Sequence, residues 1–484
     1  MVHTFRALGK FFLTDAESGS VFETDELTHY LVLLRIGGGQ AQIRDIENKL
    51  KQYSAPEIEG ADFELRQLIS EGILFSGQEG VSGQTAGHGD TVPDPACRET
   101  CPPDSAADRN SQFSILNSQL IKALCLNVCH ACNLRCGYCF AAGGTYGGAQ
   151  AVMSRDVAFA AVDFLIERSS GRKNVEIDFF GGEPLLNFEV VKATVLYARS
   201  KEKEHGKKFR FTITTNGVNL DKEKIDFINK EFSNVVVSID GREKVHNLMR
   251  RGADGGDTYR ETVDNALALV KERKGDYFIR GTFTNKNLDF AEDVAALSAL
   301  GFKHISMEPA ALPDGHPLAI REEHIERVCR EYETLAENLL KAGDAAPDFF
   351  HFRIDLKGAP CRDKLLKGCG AGGEYAAVSP DGRLYPCHQF DGKQEYCFGR
   401  LAAKSGVWSV ECGVKDREPL RVPKYPVLRR EACAKCWAKY YCGGGCAANS
   451  VNFCGGADKP YDLACRLLKK RTELAIALYC KSLD

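Results

Sequence analysis

Three cysteines in the run Cys132-Asn-Leu-Arg-Cys136-Gly-Tyr-Cys139 have the types and spacing to do chemistry. C-x3-C-x2-C places three thiolates in one loop. Thiolate is the soft ligand that selects iron–sulfur chemistry, and three of them can hold three irons of a 4Fe–4S cluster. The fourth iron then lacks a protein ligand. An open coordination position marks a catalytic site rather than a closed structural one, and here it could chelate a small molecule and pass it an electron. A second group lies far along the chain: Cys369, then Gly382 and Cys387, then Cys433-x2-Cys436-x5-Cys442-x3-Cys446, and finally Cys465.

The chain has 484 residues and 20 cysteines, with none between Cys139 and Cys329 and eleven from Cys361 to Cys465. A secreted disulfide scaffold is short and carries cysteine throughout, so tight sets in a long chain point to metal. Zinc accounts for the C-x2-C pair but leaves the other spacings unexplained. A net charge of −3 gives no general attraction to nucleic acid or anionic membrane. There is no apolar run of transmembrane length, and Met-Val-His-Thr-Phe-Arg lacks the apolar stretch of a signal peptide. A cytoplasmic enzyme, with no membrane and no nucleic-acid partner, is the expectation.

The elements that must position these residues follow from periodicity. Residues 1–75 read as a hairpin (Phe11–Leu13, Val21–Glu23), helices near 25–34, 41–52 and 61–71, and a short strand at Ile73–Phe75. That order resembles a winged-helix peptide-recognition domain; the alternative is a structural cap. Residues 76–113, rich in Gly, Ser, Asp and Pro, read as a flexible linker whose Cys97 and Cys101 are spare thiols, metal ligands or a disulfide. From 114 to 320, six strands (Leu124–Val128, Val175–Phe180, Phe209–Thr214, Val235–Ile239, Tyr277–Phe283, His304–Glu308) alternate with amphipathic helices. Repeated βα units make a parallel sheet with right-handed crossovers, and six make a partial (β/α)6 barrel in the α/β class. Its active site belongs at the strands' C-terminal ends. The cysteine loop, Gly181-Gly182-Glu183-Pro184, Asn216, Ser238 and Glu308 all fall there. A bridging helix occupies 321–360, and 361–484 form a cysteine-rich part with little apolar periodicity before Leu463, as expected of a fold held by metal.

Taken together, Cys132, Cys136, Tyr138-Cys139, Gly181–Pro184 and the seven C-terminal cysteines resemble the radical S-adenosylmethionine (SAM) family with a C-terminal SPASM domain. The resemblance implies that Cys132, Cys136 and Cys139 hold the catalytic cluster and that its open iron binds the amino and carboxylate groups of SAM. A 5′-deoxyadenosyl radical then takes hydrogen from substrate. It implies SAM contacts from Tyr138, Gly181, Gly182, Glu183, Pro184, Asn216, Ser238 and Glu308; ordinary turn or helix-start chemistry is the competing account of Glu183. Arg250 and Arg251 could pair with a carboxylate, although exposed arginines usually do not. It implies two auxiliary 4Fe–4S clusters, three clusters in all. One is held by Cys433, Cys436, Cys442 and Cys465. The other is held by Cys369, Cys387 and Cys446, with Cys361 or a substrate thiolate as fourth ligand.

The segments Asp178–Phe188, Ser238–Arg242, Arg280–Thr284, Gly368–Gly372, Tyr385–Phe390 and Cys465–Arg471 are similar to the maturases of "six cysteines in forty-five" (SCIFF) peptides. That similarity implies thioether crosslinks between cysteine sulfur and carbon in a Cys-rich precursor peptide, of sactipeptide or ranthipeptide type. The precursor's leader is bound by the N-terminal domain, and electrons come from a low-potential reductant such as ferredoxin or flavodoxin. Alternatives are another SPASM enzyme making carbon–carbon crosslinks, epimers or formylglycine, and a non-catalytic iron–sulfur electron carrier.

Overall fold

The structure is a computed structural model that describes residues 1–76, 121–354, 356, 362–404, 407–411 and 426–482. Most of the linker, Cys97, Cys101, Cys361 and Cys412 lie outside them. The chain opens with a three-stranded antiparallel sheet, β1 (Val2–Ala7), β2 (Lys10–Asp15) and β3 (Ser20–Thr24), in the order β1-β2-β3. Three helices follow, Glu26–Ile36, Gln40–Leu50 and Ala55–Ser70.

Three details here differ from expectation. β1 adds a strand to the hairpin. The third helix starts at Ala55, because Ser54 and Glu57 form a capping box that satisfies the free amides of its first turn. Ile73–Phe75 is a turn with Phe75 at φ 55°, not a strand.

Six strands then run parallel in chain order: β4 (Ala123–Cys129), β5 (Asn174–Gly181), β6 (Lys208–Thr215), β7 (Asn234–Ser238), β8 (Asp276–Phe283) and β9 (His304–Pro309). All six match the strands read from the sequence, and helices at Arg155–Arg168, Phe188–His205, Lys222–Glu231, Tyr259–Lys271 and Phe290–Ala299 cross between them. β5, β6 and β7 alternate strictly between buried and less buried residues, and β8 and β9 do so in part. Val175, Ile177, Phe179, Phe211, Ile213, Val235, Val237, Ile279, Phe283 and Ile305 are fully buried against the helices. Between them come Asp178, Thr212, Ser238, Arg280, Thr282, Ser306 and Glu308, which line the other face. A period of two puts the apolar set on the helix side and the polar set on the concave side.

The sheet does not stop at the barrel. β10 (Asp348–Phe349) extends it beside β9, and on the far edge β11 (Tyr375–Val378) pairs parallel with β4. β12 (Arg383–Tyr385), β13 (Gly399–Lys404) and β14 (Val407–Glu411) continue antiparallel, making eleven strands among the described residues. The cysteine-rich part is therefore seated on the barrel by backbone pairing as well as by whatever its cysteines bind. Its last element, the helix Asp462–Lys481, packs on the helix Ile325–Ala342 and buries Leu467, Leu474 and Ile476. No described helix is long and apolar enough to cross a membrane.

Candidate active site

The Cys132–Cys139 loop leaves the end of β4 and lies on the end of β5. Gly182 N–H donates to the Cys129 carbonyl (2.7 Å) and Glu183 N–H to the Ala131 carbonyl (2.9 Å). A Cβ on Gly182 would stand 2.2 Å from the Ala131 oxygen, and one on Gly181, at φ +128°, 2.5 Å from the Cys129 oxygen. The two glycines thus let one backbone lie directly on another, and the nearest backbone is the cysteine loop itself.

Glu183 is 1% exposed. Its Oε1 accepts from Leu185 N (3.0 Å) and Thr215 Oγ1 (2.7 Å), its Oε2 from Asn216 N (2.8 Å). Burial raises its pKa while the Asn216 and Leu185 amides pull the other way. The carboxylate ties the ends of β5 and β6 together and starts the short 3-10 turn that contains Pro184.

Asn216 bridges to the cysteine loop: its Nδ2 donates to Asn133 Oδ1 (2.7 Å) and lies 3.8 Å from Cys132 Sγ, which also receives the Leu134 amide at 3.4 Å. Two N–H groups aimed at one sulfur favour its thiolate form. Tyr138 enters a buried polar network. Its hydroxyl donates to Asp240 at the end of β7 (2.7 Å) and accepts from Arg250 Nη1 (2.8 Å). Arg250 corrects the expectation of an exposed arginine: only 7% of it is exposed, its Nε has no partner, and its charge lowers the Cys136 pKa against the stronger effect of burial. Exposed Arg251 pairs with Asp257 (3.3 Å). The cysteine loop is stitched to this segment by Gly137 N–H to Met249 O and Arg135 N–H to Arg251 O, each 2.8 Å. Ser238 is half-buried at the end of β7, in register with Arg280.

Glu308 sits at the other end of the mouth. Its carboxylate lies 3.2 Å from His351 Nε2 and accepts from Arg471 Nη1 at 3.4 Å. Burial raises its pKa, but His351, Arg471 and Arg280 together leave it lowered. Arg471 comes from the last helix, so Glu308 joins the barrel to the cysteine-rich part. His388, immediately after Cys387, packs between Phe180 (4.8 Å) and Phe140 (5.8 Å), neighbours of Gly181 and Cys139. Burial pushes the His388 and His351 pKa values down to about 4, so both are neutral at pH 7.

The cysteines gather as three sets. Burial raises the Cys132 pKa to about 12, with Glu183, Cys136 and Cys139 adding negative charge. Cys387, also raised to about 12 by burial, feels Cys446 and Cys369. Cys465, raised to about 12 by burial, feels Cys442 and Cys433, and Cys442 feels Cys433 and Cys436. Gly368 and Gly443, both at positive φ, help bring the second and third sets together: a Cβ on Gly443 would stand 2.6 Å from Gly368 Cα. Among the described residues, no three His, Cys, Asp or Glu side chains close on a single metal ion. Thiols are the soft donors that iron–sulfur clusters take.

Residues 126–294 match the Radical SAM superfamily. The chain contains a radical SAM domain. Over 345 residues the chain is 23% identical to the radical SAM cyclopropyl synthase TigE of Paramaledivibacter caminithermalis, covering 69% of each protein. Over 385 residues it is 23% identical to the cysteine-type anaerobic sulfatase-maturating enzyme of Clostridium perfringens, covering 72% of this chain and 91% of that one. The solved structure of native anSMEcpe with bound AdoMet and Cp18Cys peptide shares the fold: TM-score 0.56, 19% identity, 75% of this chain and 99% of that chain. A radical SAM domain implies a 4Fe–4S centre and SAM, and the loop after β4 has the donors for the first.

Arg250, Asp240, Asn133, Arg280, His351, His388 and Arg471 also belong to this neighbourhood. The run Ser238–Gly241 at the close of β7 signals Asp240, whereas Arg250 lies beyond the helix Glu243–Met249 and reads as an exposed arginine. His351 and His388 carry no motif and become visible only when two distant segments meet.

Proposed function

We propose that this protein is a radical SAM peptide maturase that installs thioether crosslinks between cysteine sulfur and a carbon atom in a Cys-rich, ribosomally made precursor. Cys132, Cys136 and Cys139 hold the catalytic 4Fe–4S cluster; Cys369, Cys387 and Cys446 hold one auxiliary cluster; Cys433, Cys436, Cys442 and Cys465 hold the other. SAM bound at the reduced catalytic cluster supplies a 5′-deoxyadenosyl radical able to take hydrogen from a substrate carbon. One observation carries the reading. His388, the residue after Cys387, packs on Phe180 and on Phe140 beside Cys139, which brings the set of Cys369, Cys387 and Cys446 next to the catalytic loop, with Cys361 or a substrate thiolate as its fourth ligand. A peptide thiol bound there would be ionised at neutral pH and would stand beside the radical's target.

The chain's own residues orient and exclude water. Asn216 and the Leu134 amide stabilise the Cys132 thiolate. Arg250, buried beside Cys136 and held by Tyr138, offers its guanidinium to an anionic group of SAM. Phe140, Phe180 and His388 wall the gap between the two sets. Residues 1–75 bind the precursor leader. Among the described residues β3 is an edge strand of its sheet, and strand addition is a common mode of peptide capture.

The experiment supplies SAM, reductant and a short Cys-rich precursor peptide carrying its leader, then counts alkylatable thiols in the product. A thioether removes one thiol per crosslink and two hydrogens per event. The similarity to TigE favours a second reading, carbon–carbon ring formation, which also removes two hydrogens but leaves every thiol free. Deleting residues 1–75 should abolish turnover of the full-length precursor; persistence would overturn leader recognition.

A further inference from the structure

The five residues between Cys436 and Cys442 are Trp437-Ala438-Lys439-Tyr440-Tyr441, and they meet the N-terminal sheet. Trp437 stacks flat on His3 of β1, with ring centroids 4.0 Å apart and planes 7° apart. His3 Nε2 also donates to Glu473 of the last helix at 2.8 Å. Lys439, 8% exposed, pairs through Nζ with Glu17 in the β2–β3 turn, and the Tyr440 hydroxyl donates to the same carboxylate at 3.2 Å. Burial raises the Glu17 pKa, but Lys439 and Tyr440 leave it lowered, the sign of an anion held by its partners. Beneath these contacts, Phe5, Ala7 and Phe12 share one apolar core with Leu474 and Ile476, and Trp437 and Tyr441 pack against it.

We infer that the outer cysteine set, Cys433, Cys436, Cys442 and Cys465, has a second function. It is the post on which the N-terminal domain is mounted, so that filling the set and seating the domain are thermodynamically linked. The inference rests on the reading of this set as an iron–sulfur site. Cys436 and Cys442 close both ends of the docking segment. The segment buries few large side chains of its own apart from those that face the N-terminal sheet, so its shape depends on what its end residues are bound to. When the ends are fixed, Trp437, Lys439 and Tyr440 are presented in the arrangement that His3 and Glu17 require. When they are free, the same side chains pay ordering entropy to dock. Linkage is reciprocal: a seated domain must then hold the outer cluster more tightly.

The test is hydrogen exchange on the full-length iron-loaded protein, on the same protein stripped by chelator and oxidant, and on Cys433→Ser. Amides of residues 2–15 should exchange about tenfold faster in the last two, while the helix Arg155–Arg168 is unchanged. A second arm uses Glu17→Ala with Trp437→Ala, which touches no cysteine. That variant should load the same iron as the parent but lose it to chelator about tenfold faster. Equal exchange of residues 2–15 with and without iron, or equal iron loss from the double variant, overturns the inference while leaving the three-cluster reading intact. A protein that takes up no iron at the outer set overturns both.

Discussion

The barrel and the cysteine-rich C-terminal part hold their cysteines in opposite ways. Around Cys132, Cys136 and Cys139 the protein is already built: two N–H groups point at Cys132, a buried arginine stands beside Cys136, and the loop is sewn to β5 and to residues 249–251 by backbone bonds. Behind it, Phe179, Phe211, Val237 and Phe283 are fully buried, each contributing about 1.5–3 kcal/mol. Between Cys433 and Cys454 the buried side chains are small or polar, such as Ala438, Lys439, Ala447, Ala448 and Ser450. The first region is a folded scaffold to which a cluster is added. The second has little apolar core of its own, as the proposed metal-held fold requires.

The largest effect expected from this difference is all-or-none. Replacing Cys132, Cys136 and Cys139 together with alanine should abolish reductive SAM cleavage while leaving far-UV dichroism and thermal unfolding of the barrel nearly unchanged. Replacing Cys433, Cys436 and Cys442 should do the reverse to structure, loosening residues 426–482 to proteolysis. If the barrel triple variant unfolds as readily as the C-terminal one, the contrast is wrong. Acid sharpens the same point. Thiols raised to about 12 by burial are protonated until metal arrives, so cluster assembly should release protons and fall off as pH drops.

Gly182→Ala probes the scaffold without touching a cysteine. Its Cβ would fall 2.2 Å from the Ala131 carbonyl, so the cysteine loop must move. We expect a loss of about 3 kcal/mol in denaturant unfolding and a catalytic cluster that no longer binds SAM. The neighbouring Gly181 belongs to the same contact.

His246 gives a smaller, pH-dependent effect. It is fully buried, accepts from the Asp240 amide at Nδ1 (3.4 Å) and meets Thr258 Oγ1 at Nε2 (3.1 Å). Burial, then the Arg250 charge, lowers its pKa to about 3. The unfolded chain takes up this proton near pH 6.5 and the folded chain does not, so between those values the unfolded state binds more protons and stability falls as pH falls. Going from pH 7 to pH 5 should cost about 2 kcal/mol through this residue. His246→Asn should flatten that part of the stability curve, and an unchanged slope would show that the imidazole is not held neutral.

Much of this was legible in the sequence because period-two strands and cysteine spacings are local signals. All six barrel strands and the helices between them lie where the alternation of Val, Ile and Phe predicts. What was not legible depends on distant contacts. β1 carries His3 and Arg6 and reads as polar until it is seen to pack on Trp437 and the last helix. Arg250 reads as a surface arginine because nothing nearby in sequence announces Tyr138, 112 residues away. Gly181 and Gly182 were legible as a close approach, but their partner, the cysteine-loop backbone, required the fold. β11 extends the barrel sheet from a segment too short to show periodicity.

The finest test of the preorganised centre is Tyr138→Phe. The hydroxyl accepts from Arg250 and donates to Asp240, whose Oδ1 also receives the Thr282 amide at 3.0 Å. Removing one oxygen keeps the ring and the volume. It leaves Arg250 with a second unpartnered group in addition to its Nε, and leaves Asp240 with one donor fewer. Losing a buried bond to charged partners costs about 1.5 kcal/mol, a modest drop in stability. The informative readout is the ratio of two constants. If Arg250 is aimed at SAM, its loosening should raise the SAM dissociation constant several-fold while iron content stays full. If stability falls but SAM affinity does not, the network serves only the scaffold, and the barrel's advantage over the C-terminal part lies in packing alone.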